Sequence, residues 1–263
     1  MWLPSFRELW RYRNLASLLA YRNIRVRYKQ AFLGFLWVLL TPVAFTLIFV
    51  SFYRLLPVKA ANDLPYVPVV YSGMIVWQFV SRCLSDAGTS LTSNSSIITK
   101  VYFPREIFPI SAILAALFDF LVSFALLIGI VLWFDLQFSP RMLLACVFVA
   151  WVAVLSFALS LWLSAIDGVF RDLRHALPLV LQLGMFVSPV AYVAAAVIPE
   201  QWMWLYEYNP FVAPIEGFRW AMIHGAPLLS VSAAVKSIGV TIALLVTGAI
   251  FFARMERTIV DRI

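Results

Sequence analysis

The chain has 263 residues, 63% of them hydrophobic and 13% charged, whereas a soluble domain is roughly 45–50% apolar and 25% charged. That balance excludes a soluble globular fold and places the chain in a bilayer. A formal net charge of +7 raises nucleic acid as a partner, but the basic residues fall at the ends of apolar runs, where membrane orientation puts them, so no nucleic acid is expected.

The first thirty residues carry seven Arg or Lys. Phe6, Leu9, Trp10, Leu15, Leu18 and Leu19 recur at near-helical spacing with Arg7, Arg11 and Arg13 between them. This predicts a helix in the cytoplasmic interface; a basic tail that only sets orientation is the alternative. No long apolar core with a small-residue cleavage site precedes the first span, so no removable signal peptide is expected.

A spanning helix needs about 20 mostly apolar residues. Six runs meet or approach that length: 31–53, 67–84, 107–133, 142–166, 176–197 and 231–253. The predicted fold is all-α and polytopic, one transmembrane domain over 1–263, with 1–30 interfacial, 31–253 the six-span bundle and 254–263 a tail. The second run is the weakest, holding Ser72, Gly73 and Gln78, and the fifth is broken by Pro178 and Pro189. Breaks of that kind survive in a membrane only where the freed carbonyls find other partners. With the N-terminus inside, fifteen of the twenty basic residues face inward, which puts both termini in the cytoplasm.

Between the second and third runs lies "SDAGTSLTSNSSIITKVYFPREIFPI". Leu91, Ile97, Ile98, Val101, Tyr102 and Phe103 supply an apolar surface, and Pro104 and Pro109 turn the chain back toward the bilayer. A short helix with exposed aromatics calls for a partner. In the third run Asp119 is the sole carboxylate well inside a span, about 18 Å along the helix from its cytoplasmic end. A lone intramembrane acid is either functional or a pin for helix packing. Farther on, Asp167 and Asp172 flank "GVFR", where Arg171 and Arg174 favour ion pairing over metal binding. The segment "PEQWMWLYEYNPFVAPIEGFRWAMIHGAP" suits two short helices at the outer leaflet, with Glu216 and Arg219 on one helical face.

A phosphate-binding loop needs Gly immediately before its Lys, and the four lysines follow Tyr28, Val58, Thr99 and Val235. ATP, if used, belongs to another chain. His175 and His224 lie near opposite membrane surfaces, so no catalytic cluster is expected, and the chain is read as a non-enzyme without cofactor. Cys83 and Cys146, in apolar surroundings on different runs, offer no disulfide framework or metal spacing and read as small buried hydrophobes.

The runs "RNIRVRYKQAFLGFLWVLLTPV", "KVYFPREIFPISAILAALFDF", "FRDLRHALPLVLQLGMFVSPV" and "YNPFVAPIEGFRWAMI", in that order, resemble the membrane subunits of ABC-2 type exporters. Among these the chain looks most like O-antigen export permeases, with capsule and teichoic-acid permeases as near relatives. The resemblance implies a homodimer in the bacterial inner membrane. It also implies a separate ATPase subunit that holds ATP and Mg and is met through a coupling helix at about 90–103. Ile97, Ile98, Lys100, Val101, Tyr102, Phe103, Pro104, Arg105 and Glu106 are the coupling candidates, and Arg171, Asp172 and Arg174 a second cytoplasmic contact.

A glycan chain crosses well along aromatic faces. Phe45, Phe49, Phe52 and Tyr53 form a helical stripe in the first span, with Phe186 and Tyr192 as facing candidates in the fifth; lipid-facing or packing rings are the alternative. A lipid pyrophosphate carrier would meet Arg22, Arg25, Arg27 and Lys29, residues that orientation also explains. Two other classes stay open: an ion-coupled carrier or flippase that titrates Asp119, and a membrane-embedded transferase, which the missing catalytic cluster disfavours.

Overall fold

The computed structural model describes residues 6–29, 34–55, 65–94, 103–137, 139–170 and 172–260, with side chains for all but 6–7, 53–55 and 256–260. Among the described residues the regular structure is entirely helical. Two helices precede the bundle, α1 (Phe6–Arg11) and α2 (Arg13–Lys29). The predicted N-terminal helix forms, in two pieces, and the stripe of Ala16, Leu19 and Ala20 on α2 is buried against protein, chiefly along the helix that begins at Ile107. The opposite side leaves Leu18 and Trp10 exposed.

The bundle comprises α3 (Leu36–Leu55), α4 (Tyr66–Gly88), α5 (Ile107–Trp133), α6 (Ala145–Asp167) and α7 (Leu173–Val187). Three short helices follow, α8 (Ala194–Val197), α9 (Glu200–Tyr206) and α10 (Val212–Met222), and then the long α11 (Val231–Val260). Turns of 3-10 helix at Thr92–Asn94 and Pro140–Leu144 follow α4 and precede α6.

Four helical stretches among the described residues are long and apolar enough to cross a bilayer: Tyr66–Gly88, Ile107–Trp133, Pro140–Asp167 and Val231–Met255. The other two predicted spans are shorter apolar helices. The fifth ends at Val187 rather than at 197, so its 15 residues cover about 22 Å of a hydrocarbon core about 30 Å thick. The cause is local. Pro189 disfavours the α conformation at the residue before it, Ser188 is extended with ψ 153°, and the apolar residues that follow turn back as a loop leading to α8.

The run that looked weakest by hydropathy is the central helix. Of its best apolar window, 78% is buried inside the protein, against 22–33% for the other three, and α4 touches α3, α5, α6, α7 and α10. Ser72 and Gly73 are therefore interior rather than lipid-facing. Gly73 is required by a close approach: a Cβ there would lie 2.1 Å from the Val190 carbonyl oxygen and 2.9 Å from Arg219 Nη2. Along the outer side α6 and α11 pack closely, with Trp162 stacked on Phe251 at 4.5 Å. Cys83 is buried as expected, whereas Cys146 is exposed on the outer surface of α6.

Candidate functional site

Charged side chains of the bundle gather in clusters, one beside α2, one at the end of α6 and one around α10. At the α2 end, the Arg27 guanidinium forms charge-assisted hydrogen bonds with both Asp86 of α4 and Asp119 of α5. Tyr28 donates to Asp119 Oδ1 at 2.6 Å, and Arg82 Nε lies 3.7 Å from Oδ2 of the same carboxylate. Two arginines thus face two aspartates, and the intramembrane acid is a paired anion that fastens α2 to the bundle. Burial, and then the Asp119 carboxylate, push the Tyr28 phenol up to about 12, so it remains a donor. Arg22 donates to Asn94 Oδ1 in the turn after α4, and Arg25 and Lys29 are exposed. Arg22 and Arg27 line a cleft of about 560 Å³ between α2 and the lower part of α4, together with Asp86, Thr89, Ser90, Ser93 and Asn94.

The predicted coupling segment divides. Ile97, Ile98, Lys100, Val101 and Tyr102 lie outside the described residues, as does Arg171. Leu91 and Phe103 depart from expectation, being 1% and 5% exposed. Phe103 packs at 5.4 Å on Phe108, in a cluster with Ala16, Leu19, Leu161 and Phe252, because the turn after Phe103 carries the ring into the seam of α2, α5 and α6. Pro104 and Arg105 are half-buried and Glu106 is buried. Beside this segment, Asp167 at the end of α6 accepts from Thr92 Oγ1 at 2.6 Å and from Arg174 Nε at 2.9 Å. Arg174 Nη2 donates in turn to Thr92 Oγ1 at 2.6 Å, and its hydrogen bond to Asp167 raises the guanidinium pKa. Asp172 is exposed and outside this ring.

At the far end Arg219 is 1% exposed and spends its donors on backbone: Nε on the Val69 carbonyl at 3.2 Å, Nη1 on Tyr192 at 3.0 Å, and Nη2 on Pro189 at 2.6 Å and Val190 at 3.0 Å. Glu216 accepts from the Ala194 amide at 3.0 Å. The two therefore meet on one face, as their spacing predicts, by gripping the same loop. Burial pulls the Arg219 pKa down and pushes that of Glu216 up, each held against that cost by the other's charge.

Nearby, Glu207 accepts from Ser230, Ser232 and Lys236 at 2.9, 2.7 and 2.7 Å, closing α9 onto the start of α11. Burial acts to raise the Glu207 pKa, but Lys236 and the two serines overcome it and hold the carboxyl below its usual range. A depressed carboxyl stabilises the fold above its unfolded pKa and loses that contribution as pH falls through the folded value. Glu207→Gln is therefore expected to melt below wild type at neutral pH, with the gap closing below about pH 4, as followed by thermal unfolding against pH.

Two of the aromatic candidates meet across helices. Phe49 of α3 meets Phe186 of α7 edge-on at 6.1 Å, with Phe45, Phe52 and Phe186 exposed at 37%, 62% and 55%; the Tyr53 side chain lies outside the described residues. Tyr192 turns away instead, donating to the Phe186 carbonyl at 3.1 Å and sharing a 3.0 Å hydrogen bond with Tyr206. The Asp86, Arg82 and Thr92 contributions were missed in the sequence, where each reads as an ordinary polar residue near a helix end.

Long apolar helices around a buried core that carries polar residues, with charged side chains paired in clusters, define a polytopic membrane protein. The chain belongs to the ABC-2 type transporter family, whose characteristic domain matches residues 14–223. It is 28% identical over 194 residues to the O-antigen export system permease protein RfbA of Myxococcus xanthus, covering 74% of each chain. To a Klebsiella pneumoniae protein of the same description it is 27% identical over 214 residues, 81% of each. The polysialic acid transport protein KpsM of Escherichia coli is 23% identical over 209 residues, 78% of this chain and 79% of the relative.

Proposed function

We propose that this chain is the membrane subunit of an ATP-driven exporter that carries lipid-linked O-antigen polysaccharide across the bacterial inner membrane during lipopolysaccharide assembly. The observation that carries this reading is the exposed aromatic face of α3 and α7, joined by the Phe49–Phe186 contact. It is a surface for sugar C–H faces that the chain's own helices leave open. A second copy related by two-fold symmetry would enclose it, with α3 and α7 completing six spans per copy and both termini cytoplasmic. Names of relatives in three organisms agree with polysaccharide cargo. The polysialic acid transport protein among them also favours a second reading, in which the cargo is a capsular polymer.

In this scheme a separate ATPase subunit binds ATP and Mg and pushes on residues 90–103, with Arg105 and Glu106 at the exit and the Arg171–Arg174 loop as a second contact. Arg22, Arg25, Arg27 and Lys29 receive the carrier's charge. Asp119 serves helix packing, since its carboxylate already holds Arg27 and Tyr28, which leaves an ion-coupled carrier without a free acid at this position. The test is copurification with a nucleotide-binding subunit and ATP-dependent export in proteoliposomes. Tyr102→Ala is expected to abolish export with the fold intact. Phe103→Ala instead lowers the melting temperature, since that ring is core. Export by the chain alone overturns the proposal.

A further inference from the structure

The Arg27 cluster separates two spaces. On one side is the 560 Å³ cleft, walled by Arg27 and Asp86. On the other is a crevice of about 20 Å³ among α3, α4 and α5, lined by Thr41, Gln78, Arg82, Asp119 and Ser123, with room for about one water. The Arg27–Asp119 pair is the partition. The cleft lies within the roughly 300–1,000 Å³ of small-molecule sites, and its lining of guanidinium, hydroxyl and amide groups suits a phosphate followed by sugar. Leu18, Arg22 and Val26 fall at i, i+4 and i+8, one stripe of α2. Val26 also lines the cleft beside Arg22 and Arg27, and both apolar residues are more than 60% exposed, so exposed apolar side chains of α2 stand next to the cleft's guanidinium groups. That pairing fits a phosphate at the end of a hydrocarbon chain rather than a free anion.

The chemistry of the cleft is peculiar in one respect. Arg27 already has two carboxylates, so an incoming phosphate must compete with Asp86 and Asp119 for the same planar fork. Arg82, four residues before Asp86 on α4 and therefore on the same face, lies 3.7 Å from Asp119 with its side chain 42% exposed. It has the freedom to close on Asp119 once Arg27 leaves, so that no buried anion is stranded.

We propose that this cleft is a lipid-phosphate site held shut from within. Asp86 and Asp119 occupy Arg27 until the headgroup displaces them, Arg82 then takes over Asp119, and the Lys29 end of α2 is released from the bundle. The inference rests on the reading of the chain as an exporter of lipid-linked cargo, and adds to it the internal carboxylates that compete for the carrier's arginine.

The experiment measures binding of a polyprenyl diphosphate, presented in phosphatidylcholine nanodiscs that hold the full chain with its ATPase, and of inorganic pyrophosphate to the same particles. Arg27→Gln is expected to weaken lipid binding roughly tenfold. Asp86→Asn and Asp119→Asn should tighten it several-fold, and Arg82→Gln weaken it although Arg82 lies outside the cleft. A merely structural cluster predicts the opposite for the aspartates, weaker binding from a loosened α2. Asp86, whose side chain is 29% exposed, carries the test where Asp119→Asn fails to fold. Unchanged or weaker binding by Asp86→Asn, or wild-type binding by Arg82→Gln, overturns the exchange. Pyrophosphate binding as tight as the lipid's overturns the lipid assignment. Export that persists in the wild type while these shifts are absent rejects this inference and leaves the exporter reading standing.

Discussion

Arg219→Met is expected to lower the unfolding midpoint by roughly 10 °C, the equivalent of about 3–5 kcal/mol. Methionine fills much of the arginine's volume, so the cost lies in lost donors rather than in a cavity. Four carbonyls, those of Val69, Pro189, Val190 and Tyr192, lose a charged partner at once, and a hydrogen bond to a charged group contributes about 1.5–3 kcal/mol. The sum is not additive, since the loop can relax toward water once released. Glu216 also loses its counter-charge while remaining half-buried. Gly73→Ala attacks the same contact from the other side, because its new methyl would lie 2.1 Å from the Val190 oxygen. Both changes dislodge the 189–192 loop, so the double variant should melt close to the worse of the two singles. Intrinsic tryptophan fluorescence on purified protein measures this. An Arg219→Met protein melting within a degree or two of wild type would show that water already serves those carbonyls.

The loop held by Arg219 illustrates what the sequence makes legible and what it hides. Glu216 and Arg219 are three apart on a short amphipathic stretch, and their shared face follows from helical geometry alone. Their partners do not, because main-chain carbonyls carry no residue signature. The same limit applies at the other end. Asp119 stands out as an acid in an apolar run, and Arg27 stands out as basic, but 92 residues separate them and only packing brings them together. Hydropathy ranked the second run lowest because Ser72, Gly73 and Gln78 lower its average. Averaged hydropathy measures suitability for lipid, whereas α4 is surrounded by protein, where a small residue that admits a neighbouring backbone contributes more than a large apolar one. Conversely, residues 190–197 are apolar enough to extend a span, and the departure at Ser188 depends on one proline and one distant arginine. The pattern of long apolar runs and basic ends was sufficient for the four spanning helices and for an α-helical class, and the aromatic stripe of α3 was visible from its spacing. Phe103 was misplaced on a surface since an amphipathic segment does not announce which side another helix will cover.

Asp167→Ala is expected to leave assembly with the ATPase in place and to cut export per ATP hydrolysed roughly tenfold or more, on the proposed exporter reading. Asp167 is 2% exposed and joins three elements: its own α6, the Thr92 turn that leads directly toward residues 95–102, and the first turn of α7 through Arg174. That first turn depends on the ring more than most helix starts do. Pro178 has no amide hydrogen to donate to the carbonyl four residues back, which is that of Arg174 itself, so the residue has one helix bond fewer to hold it and its side-chain bonds count for more. On that reading a push on the coupling segment would reach Thr92, cross to Arg174 and move α7, the helix that carries Phe186. Losing the carboxylate removes charge-assisted bonds of about 1.5–3 kcal/mol each, enough to let the segment move without α7. ATP hydrolysis then continues while cargo stalls. Arg174→Lys keeps the charge but cannot reach both Asp167 oxygens and Thr92 together, and should fall between wild type and Asp167→Ala. Paired measurement of hydrolysis and export in proteoliposomes decides the matter: a purely structural role lowers both in proportion, and a wild-type ratio in Asp167→Ala removes the ring from the transmission path.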